Sequence, residues 1–136
     1  MKAYFHKVAK PFQSSFVIKH YIAPNFGKPV HYHADLELHL TLKGEGICFI
    51  GDKVSNFKPG DILLLGENLP HAWHARERNN SGVEAIVIQF GRNCFGRDFF
   101  SIPELIHIQQ LYEVAKRGLI LHSQCRNKVE SLMLKI

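Results

Sequence analysis

Between residues 14 and 90 every apolar stretch is short, and glycine, proline, asparagine or aspartate fills the gaps between them. This rhythm excludes long helices and favours strands joined by tight turns. It predicts strands over 14–23, 28–33, 37–43, 46–50, 53–57, 61–65, 71–75 and 83–90. Gly51-Asp52 has the form of a two-residue hairpin turn, and Lys58-Pro59-Gly60-Asp61 that of a second turn. Many short strands in a row imply a β-sandwich or small barrel.

The pattern changes after residue 100. Ser101-Ile102-Pro103-Glu104 has the spacing of a capping box, with proline in the first turn. Leu105, Ile108, Leu111 or Tyr112, and Ala115 then recur at helical spacing, so a helix is expected over 102–117 with Gly118 closing it. A second helix is expected after Ser123, with Val129, Leu132, Met133 and Ile136 on one face. That face is still running at the last residue, which suggests part of a longer polypeptide. The expected division is a barrel over 1–98 and a helical extension over 99–136.

The chain has 136 residues, enough for one compact domain, with 46% hydrophobic and 21% charged residues. No stretch approaches the ~20 apolar residues of a membrane span, and no signal peptide is visible, so a cytoplasmic location without membrane contact is expected. The three cysteines, Cys48, Cys94 and Cys125, are too scattered for a disulfide framework or a cysteine metal site. The formal charge of +5 comes from singly placed lysines and arginines, which read as a solvated surface. With no helix-turn-helix, basic stripe or aromatic platform, direct nucleic-acid binding by this chain is disfavoured.

The chemistry concentrates in HYHADLE, residues 31–37. On a strand, His31 and His33 project to one face with Cα atoms ~7 Å apart. Glu37 would lie ~13 Å beyond His33 on a straight strand, so it joins them only if the chain turns at Ala34-Asp35-Leu36. His71 opens a later strand and is a fourth candidate. Three imidazoles and a carboxylate suit a divalent transition metal such as Zn, Ni, Fe or Mn. The alternative is a polar pocket for an organic ligand. His39 shares parity with Glu37, and Trp73 with His71, so both are expected to face inward. Trp73 either stacks on a ligand or packs in the core. His74 has the opposite parity and is expected at the surface. His6, His20, His107 and His122 have no such company and read as surface or satisfied core residues.

These residues resemble the cupin pattern. His31, His33, Glu37 and Gly44 reproduce its first motif with gaps of three residues between His33 and Glu37 and six between Glu37 and Gly44. The leading glycine would be Gly27, separated from His31 by three residues instead of five. In the second motif Gly60 and His71 are in register. Gly66 stands where the pattern has proline, Asn68 where it has glycine, and Ala75 where it has asparagine. The run from His31 to Ala75, above all residues 51–73, and the segment FSIPELIHIQQLYEVAKRGL are similar to the N-terminal sensor domain of AraC-type bacterial transcriptional regulators.

The resemblance implies a cupin-like double-stranded β-helix, a jelly-roll barrel, followed by two C-terminal α-helices. It implies an effector-sensing and dimerising module rather than an enzyme. A small-molecule effector, with a sugar as the family-level expectation, would be bound by His31, His33, Glu37, His39, His71 and Trp73. The metal set would be His31, His33, Glu37 and His71. A homodimer is implied, with DNA contacted only through a C-terminal domain that this chain lacks. Leu38, Leu40 and Leu42 would form an apolar outer face, covered by the helix at 102–117 or by a second subunit. The competing reading is a small metal-dependent cupin enzyme, a dioxygenase or sugar isomerase.

Overall fold

The computed structural model describes residues 2–10, 14–76 and 81–136. Among these residues ten strands appear in chain order: β1 (Tyr4–Phe5), β2 (Phe16–Ala23), β3 (His31–Tyr32), β4 (Leu36–Lys43), β5 (Gly46–Ile50), β6 (Lys53–Phe57), β7 (Ile62–Leu65), β8 (His71–Ala75), β9 (Val83–Phe90) and β10 (Leu119–Ile120). Two helices follow the main strand run, α1 (Ile106–Ala115) and α2 (Ser123–Met133), with β10 between them. The strands form two five-stranded sheets, ordered β1-β3-β8-β5-β6 and β10-β7-β4-β9-β2. This is the expected mainly β jelly roll with two C-terminal helices.

The inner core lies between the sheets and contains Cys48, Phe57, Leu63, Leu65, Trp73, Val83 and Ala85. Strand alternation sends the neighbours of these residues outward. In β4, Glu37, His39 and Thr41 are buried and share one parity, while the leucines between them pack in outer clusters. Leu36 packs with Phe100 and Tyr112 beneath α1. Leu40 and Ile62 pack with Met133, with Leu38, Leu42 and Val129 around them, beneath α2. The outer leucines at 38, 40 and 42 are therefore covered by α2, while α1 covers the Leu36 end. Along α1 the apolar stripe runs through Tyr112, which is buried, and leaves Leu111 43% exposed.

Two expectations about helix ends meet different outcomes. The Ser101–Glu104 capping box does not form. Ile102, held extended before Pro103, opens a 3-10 turn over Pro103–Leu105, and α1 begins only at Ile106 with no side-chain cap. Gly118 does close the first helical segment, at φ 81, with its amide on the Ala115 carbonyl at 2.8 Å.

Two of the three departures from the second cupin motif, Gly66 and Asn68, have a local cause. Gly66 lies against the end of α1: an added Cβ would stand 2.6 Å from the Lys116 nitrogen. Its amide donates to the Ala115 carbonyl at 2.7 Å, a bond that proline has no N–H to make. Asn68 occupies φ 59, where asparagine is the best-tolerated substitute for glycine.

Leu40 is fully buried where β4 meets α2. Leu40→Ala is expected to cost about 2–5 kcal/mol. A shift of the denaturant midpoint at unchanged slope would show it; a change near zero would mean that α2 does not hold this position.

Candidate functional site

The four residues singled out in HYHADLE and at His71 come together at one end of the inter-sheet space. His31 and His71 are direct cross-strand partners on the antiparallel pair β3–β8, and their rings lie 4.4 Å apart. The His33 ring is 5.0 Å from that of His71 and 6.2 Å from that of His31. Between Tyr32 and Leu36 the chain bends and passes from the first sheet to the second. That bend returns Glu37 to the histidines, with its Oε2 2.9 Å from His33 Nε2 and 3.7 Å from His71 Nε2. Gln89, paired with Glu37 across β4–β9, donates to the same carboxylate oxygen at 3.0 Å.

Each histidine is oriented by its other nitrogen. The Nδ1 atoms of His31, His33 and His71 lie 2.9, 2.8 and 2.7 Å from the carbonyls of Pro29, Asp35 and Leu69. A carbonyl only accepts, so Nδ1–H is the donor in each case. The loop carrying Asn68 is tied to His33 as well, its amide donating to the His33 carbonyl at 2.8 Å. In the neutral tautomer, three Nε2 lone pairs then converge beside a carboxylate. Acceptors alone repel one another, so the cluster needs a cation, either a proton or a metal ion.

The donor set fits a metal. The ligand nitrogens of His31, His33 and His71 all lie within 4.8 Å of one another. Two nitrogens bound at ~2.1 Å are at most ~4.2 Å apart when opposite each other and ~3.4 Å apart in a tetrahedral site, so the imidazoles must draw together by about half an ångström or more to bind an ion. Glu37 reaches the triad through His33 and His71. Histidine ligands oriented by carbonyls through their second nitrogen are the usual outer arrangement of a metal site.

Charge in the site follows from burial and these contacts. Burial alone would raise the pKa of Glu37, but the His33 hydrogen bond and the nearby His71 hold it well below the usual carboxylate range. Burial opposes a charge on His33, and the Glu37 carboxylate outweighs it and raises the His33 pKa. Burial lowers the pKa of His31 and of His39 to about 4. Both are neutral imidazoles at neutral pH.

His39 and Trp73 face inward as expected, on opposite sheets. Their rings stack at 4.0 Å and 9°, and Trp73 belongs to the inner core. Both line a cavity of about 70 Å³ beside the triad, together with His31, Glu37 and Gln89. His74 is exposed, as its parity predicts. Gln89, Lys19 and Lys28 line the cavity too, and sequence reasoning passed over them. The available signal was parity: Gln89 is the inward polar residue of an otherwise apolar strand end, VEAIVIQF.

The chain belongs to the AraC-like ligand binding domain family. The family model matches residues 13–91, which is more than half of the chain. Among solved structures it is similar to ToxT from Vibrio cholerae O395 bound to (E)-4-(8-methylnaphthalen-1-yl)but-3-enoic acid, at 17% identity and TM-score 0.59, over 88% of this chain and 46% of that one. A second ToxT structure from Vibrio cholerae matches at 15% identity and TM-score 0.56, over 88% and 48%. A single-substitution variant of oxalate decarboxylase from B. subtilis aligns over 60% of this chain and 22% of its own at 18% identity and TM-score 0.49. The chain thus spans less than half the length of these proteins. A search of curated protein sequences returns no match. At these identities the ToxT likeness establishes the jelly-roll fold. Among the described residues no helix is long and apolar enough to cross a membrane.

The buried neutral imidazoles set a pH dependence. A histidine whose pKa is lowered by folding contributes its full share of stability above the unfolded value of 6.5, and loses it as pH falls toward about 4. His33, raised by Glu37, acts in the opposite sense above pH 6.5. Chelator-treated protein is therefore expected to lose stability between pH 6.5 and about 4. His39→Phe, which keeps the stack on Trp73, should flatten that loss. Equal slopes in denaturation series of the two proteins would show that His39 is not buried neutral.

Proposed function

We propose that this chain is the effector-sensing part of an AraC-type transcriptional regulator. A small molecule enters between the two sheets, and its binding is transmitted to α1 and α2. The observation that carries this reading is the double use of β4. One face holds Glu37 and His39 in the site, and the other holds Leu36 and Leu40 in the seats of α1 and α2. A ligand that displaces β4 must repack one set of contacts or the other. It shifts the helices only if it binds one arrangement more tightly. In a full regulator, a DNA-binding module connected through these helices would read the shift. The setting would be the cytoplasm.

We further propose that His31, His33, His71 and Glu37 hold a divalent transition metal, Zn, Ni, Fe or Mn. Bound there, the ion would supply a Lewis-acidic centre at the cavity's edge. The residues themselves keep the imidazole nitrogens turned inward and the carboxylate charged. The alternative is a metal-dependent enzyme. The sensor reading is favoured because both helices seat on the strand that carries Glu37 and His39. Steady turnover of a substrate by metal-loaded protein, such as oxygen uptake or sugar isomerisation, would replace it.

Protein purified with a tag that does not bind metal is expected to carry about one transition-metal equivalent by plasma mass spectrometry. His31→Ala with His33→Ala should remove it from a still folded chain. Stripping and reloading with Zn²⁺ should change amide hydrogen exchange in residues 106–115 and 123–133 as well as in β4. Exchange altered in β4 alone would separate the site from the helices and defeat the sensing mechanism.

The regulator is also read as a homodimer. Of the four residues expected on one face of α2, Met133 and Val129 pack on the chain's own barrel. Leu132 and Ile136 remain 54 and 68% exposed and are the proposed contact. Sedimentation should give a dimer that Leu132→Asp with Ile136→Asp converts to a folded monomer; a wild-type monomer at micromolar concentration would reject the assignment.

A further inference from the structure

The edge strand β2 is oriented against the hydrophobic pattern. Phe16, Ile18 and Ile22 are exposed at 46, 37 and 70%. The alternate positions, Val17, Lys19, Tyr21 and Ala23, are the more buried ones, and Lys19 and Tyr21 line the cavity. A lysine thus occupies the inner face of a strand whose large aliphatic residues point out. Lys28, on the segment leading to β3, lines the same cavity. Among the described residues, neither ammonium has a carboxylate within ion-pair distance.

The carboxylate in the lining is already hydrogen-bonded. Glu37 is held by His33 at 2.9 Å and by Gln89 at 3.0 Å. Two lysines therefore line the cavity, Lys19 half-buried and Lys28 at its exposed rim; Glu37 acts on Lys19 from a distance, and neither ammonium is ion-paired with it. Burial, and then the charge of Lys28, lowers the pKa of Lys19, which places the two ammonium groups within each other's field. The remaining walls are Tyr21, Phe26, Trp73, Ala85 and Val87. Three lining side chains, each more than nine-tenths buried, keep a polar atom without a partner: His39 Nδ1, Trp73 Nε1 and Gln89 Oε1. Buried polar atoms are normally satisfied, so a cluster of orphans in one cavity points to a missing ligand.

We propose that the cavity binds a small organic acid, its carboxylate held by Lys19 and Lys28 and its body seated against Phe26 and Trp73. This rests on the effector-sensing reading and narrows it from any small molecule to an anion. A neutral sugar would satisfy the orphaned polar atoms and leave both ammonium groups without an ion pair. The cavity volume of about 70 Å³ limits the acid to a few heavy atoms beyond its carboxylate. An inward lysine on an edge strand can also serve to discourage pairing with another chain. That role requires neither Lys28 nor a cavity lined with unpartnered polar atoms, and it predicts no anion binding.

The test is calorimetric titration of the full chain with butyrate and crotonate, against butyramide, crotonamide and xylose as neutral probes. At least one carboxylate is expected to bind at least ~10-fold more tightly than its amide. Lys19→Gln with Lys28→Gln should abolish that preference while leaving the unliganded protein folded, with a cooperative melt. Lys53→Gln with Lys128→Gln, which removes the same charge elsewhere, should leave it intact. If amides or xylose bind as well as the acids, or if the preference survives loss of Lys19 and Lys28, the carboxylate assignment is overturned and the effector-sensing reading stands. If none of the five binds at millimolar concentration, the assignment is overturned and the sensing reading loses support with it.

Discussion

The buried carboxylate of Glu37 is the constraint around which this protein is arranged. It is 3% exposed and lies between two sheets. Taking a carboxylate out of water costs several kcal/mol unless charge or hydrogen bonds replace the lost hydration. His33 and Gln89 supply hydrogen bonds, and His71 stands close behind. Those partners are fixed in turn. Asp35 and Leu69 carbonyls orient the imidazoles, and Asn68 ties its loop to the His33 carbonyl. The cluster is thus a small polar core inside an apolar one, and it specifies how the two sheets meet at that end of the barrel.

Strand alternation then links this core to the helices. Glu37 and His39 can face inward only if Leu36, Leu38 and Leu40 face outward. An outward leucine row on a central strand needs cover, and α1 and α2 provide it. A one-residue slip of β4 would move the carboxylate beneath the helices and the leucines into the polar cluster, so the register is set from both sides at once. The Gly66–Ala115 contact adds a second fixed point, where the loop leading to His71 meets the end of α1.

Much of this was legible in the sequence. The strands at 46–50, 53–57, 71–75 and 83–90 have the bounds that turn residues predict, because glycine and proline punctuate them sharply. The bend expected over 34–36 follows from the need to bring Glu37 back to His33; it falls at Ala34-Asp35, with β4 already begun at Leu36. What escaped detection depends on partners distant in the chain. The two-residue strands β1 and β10 exist only because β3 and β7 offer them edges, and no local propensity marks so short a segment. The absent capping box shows the same limit: Ser101 and Glu104 have the right spacing, but Pro103 sets a tighter turn before α1 begins. Gly66 and Asn68 look like lapses from the cupin pattern until α1 and the positive φ at Asn68 are visible.

Lys19 was hidden for a different reason. In FVIKHYIA both faces carry apolar residues, so alternation does not say which face is inside. Pairing with β9 decides it, and it decides against the simple expectation, sending Phe16, Ile18 and Ile22 outward and Lys19 in. That choice has an electrostatic consequence for the polar core. Glu37 shares the cavity with Lys19 and Lys28, and the Glu37 charge acts favourably on Lys19. The site is therefore divided into an end where a carboxylate is matched by imidazoles and an end where ammonium groups stand unmatched. A ligand bearing one negative charge has a defined orientation in such a field: its anionic end is drawn to the lysines and repelled from Glu37. Its other end is then directed toward Phe26 and Trp73, and Trp73 stacks on His39 of the strand whose outer face carries the helices. Orientation by charge, rather than shape alone, would let a small molecule act on β4 in one sense only.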